Sequence, residues 1–230
     1  MTIKNLELKQ EQIINEIKLF AIQNNLTNEN VEPIPDGIYS AEKYLSAPTQ
    51  IMWILKEPYD DFIKNNEPWG GGWNLFGAYD NDDAWSNRTW QPMIYVMYGL
   101  FNNQKWEEMN WIRDDKSMAD VLKQIAYINI SKMPSLKATN DSTLWRKYEI
   151  WKDLLMKQIE TLAPKIIIFG NTFKYFKNDL VGNDTKPLKQ LNNIVNIYEK
   201  DGVKFLDTYH PNQRITSREN YVNSIIEACS

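Results

Sequence analysis

The sequence predicts an α/β protein, a three-layer sandwich with helices on both faces of a central four-stranded, mostly parallel sheet. Three observations lead there. Four short apolar runs, at 51–55, 125–130, 165–169 and 203–208, are separated by stretches of helical periodicity, and parallel neighbours need such long crossovers. The runs at 51–55 (IMWIL) and 165–169 (KIIIF) are bulky with little or no alternation, as suits strands covered on both sides. The length of 230 residues accommodates one large core but not two comfortable ones, so residues 1–230 read as a single domain.

Each element has a local reason. Leu6, Ile13, Ile14, Ile17, Phe20 and Ala21 recur at near-helical spacing, which predicts an amphipathic helix over 5–24 that packs on the sheet. Residues 28–48 hold Pro33, Pro35, Gly37 and Pro48 and read as too broken for regular structure. The strand at 51 ends in Glu57-Pro58-Tyr59, because a proline without an N–H cannot continue a ladder. Residues 60–87 form a long loop containing Trp69, Gly70-Gly71-Gly72, Trp73 and Phe76; loops of this length tend to be functional. A helix follows over 88–102, with Pro92 in its first turn. Ser117 opens a short helix leading into the strand at 125–130, which ends in Asn129, Ser131 and Lys132. The helix at 142–162 carries Trp145, Tyr148, Ile150, Trp151, Leu154, Leu155 and Ile159 as its apolar stripe and stops at Pro164. After the strand at 165–169 come Gly170-Asn171-Thr172, an aromatic helix with Phe173, Tyr175 and Phe176, and an edge strand at 194–198. The last strand, 203–208, delivers Tyr209-His210-Pro211-Asn212. Thr216 and Glu219 form a capping box for the final helix.

Composition excludes several classes. A single cysteine, Cys229, rules out an internal disulfide or a cysteine-held iron–sulfur cluster, and a single histidine rules out a histidine metal cluster. No run of about 18 apolar residues is present, and the first residues lack the apolar segment of a secretion signal, so a cytoplasmic protein is expected. Net charge is −4, but residues 131–190 carry 11 Lys and Arg against 6 Asp and Glu. One face is therefore suited to a polyanion, although charge runs on helices also serve simply as solvated surface. Nine Trp, twelve Tyr and eight Phe supply both core and rings for a flat ligand. Asp60, Asp61, Asp82 and Asp83 match no calcium-loop spacing and read as hydrated surface.

In a parallel sheet the strand ends share one edge, where ligands bind. Glu57, Asn129 and His210 should meet there. Taken alone, Glu57 reads more readily as a solvated turn carboxylate and Asn129 as readily as a turn cap, whereas His210, the only histidine and followed by proline at a strand end, reads as functional more readily than as a structural histidine. Together they suit cleavage of an N-glycosidic bond. A carboxylate stabilises the oxocarbenium-like sugar and orients water, an imidazole stabilises the anionic leaving base, and a carboxamide reads a base edge.

The order of these motifs, carboxylate-Pro-Tyr after the first strand, Asn after the second and His-Pro after the last, resembles the uracil-DNA glycosylase superfamily over about 51–214. The resemblance implies that family's fold and a monomeric enzyme without metal or organic cofactor. Its substrate would be uracil or another modified pyrimidine in DNA, flipped out of the helix. On it, Glu57 is the water-activating acid, Tyr59 borders the 5-position of the base, Asn129 reads the base edge and His210 faces a base carbonyl. Trp73 or Phe76 is the stacking ring, Asn212 follows His-Pro in the substrate loop, and Lys132 and Arg214 are DNA phosphate contacts, with Lys137, Arg146 and Lys174 as further candidates. The chain departs from the family in Leu55-Lys56 where Gly-Gln is usual, in Glu for Asp, and in Asn212-Gln213 for Ser-Pro. Those departures leave two other readings open, a binding module of the same fold without catalysis and a hydrolase of free nucleosides or nucleotides.

Overall fold

The computed structural model describes residues 1–28, 31–58, 63–64, 67–68, 76–77, 84–135 and 140–230. Its framework is a seven-stranded mixed sheet. The strands are β1 (Gly37–Ile38), β2 (Ile51–Leu55), β5 (Ala126–Asn129), β6 (Ile166–Gly170), β7 (Lys189–Leu191), β8 (Val195–Lys200) and β9 (Val203–Thr208), with β3 (Ile63–Lys64) and β4 (Glu67–Pro68) forming a separate antiparallel pair. Spatial order is β1-β5-β2-β6-β9-β8-β7. The four expected strands β5, β2, β6 and β9 are mutually parallel and central. The expected count of four was too low, because β1 adds antiparallel to β5, and β8 and β7 extend the β9 edge as antiparallel strands.

β2 explains the layering. All five of its residues are buried, and their alternation sends Ile51, Trp53 and Leu55 into one core and Met52 and Ile54 into the other. The first core is closed by α3 (Trp90–Asn102), α6 (Arg218–Cys229) and the 3-10 stretch Lys116–Gln124. The second is closed by α1 (Ile3–Gln23), α2 (Ala41–Ser46), α4 (Asp141–Leu162) and α5 (Phe173–Leu180). Each fully buried aliphatic or aromatic side chain contributes about 1.5–3 kcal/mol, so a strand apolar on both faces is the natural centre. No described helix is long and apolar enough to cross a membrane.

Several local expectations need correction. The proline-rich stretch before β2 does hold regular structure: Ser40 accepts a bond from the Lys43 N–H and starts α2, and Gln10 bonds both backbone groups of Ile38, at 2.7 Å each, to fix β1. The cap of α6 is Ser217, bonded by the Asn220 N–H at 3.1 Å, rather than Thr216. Trp145 and Ile150 lie on the exposed side of α4; Trp145 stacks edge-on against Tyr175 at 4.8 Å.

Candidate active site

The sheet reverses its winding at β2, with β5 added on one side and β6 then β9 on the other. Such a switch point opens a crevice outside the carboxyl ends of the strands. A cavity of about 310 Å³ lies there, lined by Leu55, Lys56, Glu57, Pro58, Ser86, Asn87, Arg88, Thr89, Trp90, Tyr127, Asn129 and His210. Glu57, Asn129 and His210, 153 positions apart from first to last, thus share one cavity.

The floor is held by backbone pairing that continues past the strands. Ile130, Ser131 and Ser135 donate their N–H groups to the carbonyls of Leu55, Lys56 and Pro58 at 2.9, 3.0 and 3.0 Å. Gly170 at the end of β6 is required by close approach. A Cβ there would lie 2.3 Å from Leu55 Cδ2 and 3.0 Å from Pro211 Cδ, so only glycine lets the His-Pro turn sit against β2.

Glu57 has a fully buried side chain whose Oε2 is ion-paired with Lys147 of α4. Its Oε1 is buried and finds no hydrogen-bond partner among the described residues. Lys147 also donates to Ser135 Oγ. Asn129 is buried; its backbone N–H donates to Asp36 Oδ2 at 2.8 Å, and its Oδ1 accepts from the Tyr127 hydroxyl at 3.3 Å. Burial pushes that Tyr127 hydroxyl up to about 12, so it stays a proton donor. His210 is half-buried, and its Nδ1 accepts from the Asn212 N–H at 3.2 Å. Burial, with a smaller contribution from Lys56, lowers it to about 4. The imidazole is therefore neutral near pH 7 with its proton on Nε2, a hydrogen-bond donor without charge.

The remaining expected site residues divide. Asn212 serves through its backbone, its side chain being exposed, and Arg214 is exposed beyond the turn. Phe76 packs tilted against Tyr39 at 6.2 Å and is not part of the cavity lining. Tyr59, Trp73, Trp69, Gly70-Gly71-Gly72, Asp60, Asp61, Asp82, Asp83 and Lys137 lie outside the described residues. Lys132 requires correction: it is fully buried and paired with Asp36 at 2.8 Å, so its ammonium is structural and does not reach a surface phosphate. Lys174 is engaged by Asp141.

Sequence reasoning missed Lys56, Arg88, Tyr127 and Lys147. Tyr127 was recoverable, since it lies two residues before Asn129 on the same strand and so on the same face. Lys56 and Arg88 bring two cations to the cavity, and neither is ion-paired among the described residues. Among the described residues no group of three His, Cys, Asp or Glu converges on a metal position. Cys229 is buried and its thiol is pushed up to about 12, which makes it inert at neutral pH. No protein-family model matches the chain, and no curated protein matches it.

Proposed function

We propose that the protein is an N-glycosidic hydrolase of the uracil-DNA glycosylase type, releasing uracil or another modified pyrimidine from DNA, as a cytoplasmic monomer without metal or organic cofactor. The observation that carries this reading is the single cavity at the sheet's switch point lined by Glu57, Asn129 and a neutral His210. The parallel order β5-β2-β6-β9 supports the matching fold. A cavity near the lower end of the ligand-pocket range of about 300–1,000 Å³ suits one flipped base and its sugar.

In this mechanism the water oxygen bonds to C1′ as the C1′–N bond breaks and its electron pair leaves on the base. Glu57 orients that water and accepts its proton, and its charge stabilises the oxocarbenium-like sugar. His210 Nε2–H and Asn129 donate to the base, where negative charge gathers, and the departing base takes a proton from solvent. Lys56, Arg88 and the exposed Arg214 take the phosphates that the buried Lys132 does not reach.

The test is a gel assay for abasic sites on oligonucleotides carrying varied pyrimidines. Strand scission after alkali is expected with the parent and is reduced about 100-fold or more in Glu57→Gln and His210→Ala. Absence of release from every substrate by folded parent protein overturns the reading. One observation favours a second reading, a non-catalytic nucleic-acid binding module: Lys147 already engages one oxygen of Glu57. That module binds the same oligonucleotides with salt-dependent affinity and leaves them intact.

A further inference from the structure

A carboxylate with no exposure is costly unless it is paired, and it is costlier still when one oxygen lacks any partner. Glu57 shows both conditions at once. Oε2 is held by Lys147, 90 positions away on α4, while Oε1 is bare among the described residues. The lysine is itself anchored, because it also donates to Ser135 Oγ, and Ser135 is tied to the Pro58 carbonyl at 3.0 Å. The helix therefore clamps the chain just after β2 to the chain just after β5. A merely structural pair would be expected to satisfy both oxygens; the open one here belongs to a residue that lines the cavity.

We propose that Lys147 is a positioning residue for Glu57: its ammonium fixes Oε2 and holds the carboxylate in one rotamer, leaving Oε1 as the oxygen that receives the nucleophilic water. The assignment rests on the N-glycosidic reading above. The other ionisable groups near Glu57 are few. Tyr175 on α5 is kept protonated by burial, by its bond to Asp141 and by the Asp141 and Glu57 charges. Lys56, Arg88, Tyr127 and His210 lie along the cavity, and Lys56 stands next to Glu57 in the chain.

Two measurements on the full chain test the proposal. The first is base release by the parent, Lys147→Met and Lys147→Arg across pH 5 to 9. In Lys147→Met, kcat should fall on the order of 100-fold with KM within about threefold, and Lys147→Arg should restore most of kcat. Folded Lys147→Met with the parental kcat overturns the proposal. The second is a urea-unfolding cycle with Glu57→Gln. Lys147→Met should raise the unfolding equilibrium constant on the order of 10- to 100-fold when Glu57 is present, and by less than about threefold in the Glu57→Gln background. Equal losses in the two backgrounds overturn the clamp. A parent that releases no base overturns the proposed function and the positioning role with it, while the cycle still decides whether Lys147 holds Glu57.

Discussion

Two carboxylates in this protein are buried beside lysines, and their surroundings differ. Asp36 is 4% exposed and Lys132 0%. Asp36 Oδ1 accepts from Lys132 Nζ at 3.0 Å and Gln158 Nε2 at 2.8 Å; Oδ2 accepts from Lys132 Nζ and the Asn129 N–H, each at 2.8 Å. Every lone-pair direction that matters is used. Glu57 has only Lys147, whose side chain is 23% exposed, and keeps Oε1 bare among the described residues. The first arrangement locks β1, β5 and α4 together at the sheet edge. The second leaves bonding capacity at a cavity. Completeness of hydrogen bonding at the carboxylate itself separates the two pairs, although Gln158 in the Asp36 network also keeps a bare Oε1 among the described residues.

The largest effect should come from breaking the fully bonded Asp36 carboxylate away from its lysine. Burial pulls the Lys132 ammonium down from its usual value and Asp36 pulls it back up, so Lys132→Met strands an uncompensated anion in the core. Stability in urea should fall by about 3–5 kcal/mol. Lys147→Met should cost less, because water reaches that lysine, which is 23% exposed, whereas Lys132 is wholly enclosed. If Lys147→Met proves the more destabilising of the two, the distinction between scaffold and site fails.

The cleft half of the comparison should yield first to acid. His210 titrates at about 4 in the folded protein against an ordinary 6.5. Between those values the unfolded chain binds the proton and the folded chain does not. Its contribution to stability is therefore complete above about pH 6.5, declines as pH falls, and is lost below about 4. Protonation also places a hydrogen on Nδ1, where the Asn212 N–H now donates. Chemical denaturation between pH 4 and 7 should show a slope equivalent to on the order of 1–3 kcal/mol that is missing in His210→Gln. An unchanged slope in that variant would place the titrating group elsewhere.

These contrasts also separate what the amino-acid pattern states from what only the packed fold states. β2, β5, β6 and β9, with α1, α3 and α4, each carry a pattern of their own, and the edge-sharing of parallel strand ends was enough to bring Glu57, Asn129 and His210 together. β1, with two residues, and β7, with three, owe their existence to distant partners rather than to local periodicity. Lys132 looked like surface because its partner Asp36, 96 positions away, sits in a proline-broken stretch with no regular pattern. Lys147 was hidden for a related reason. Its contact depends on how α4 rotates over the sheet, which no spacing within α4 states.

Asn129 joins the two regions, and the smallest predicted effect concerns it. Its backbone N–H belongs to the Asp36 network, while its side chain takes the Tyr127 hydroxyl inside the cavity. That hydroxyl occupies one lone pair of Oδ1 and so sets which way the carboxamide faces, with its NH₂ left to meet an acceptor on the base. Tyr127→Phe keeps the ring, its edge-on contact with Trp90 at 6.4 Å and the backbone bond to Asp36. The lost hydroxyl also bonds the buried Trp90 side chain, so stability should fall by about 1–2 kcal/mol. Freed to flip, the amide should discriminate less between pyrimidines, so the ratio of kcat/KM values for two competing bases should narrow by about 3- to 10-fold while the better substrate loses less than that. An unaltered ratio would mean that Asn129 is oriented by the scaffold alone and that Tyr127 belongs to packing, moving the boundary between the two regions one residue closer to the cavity.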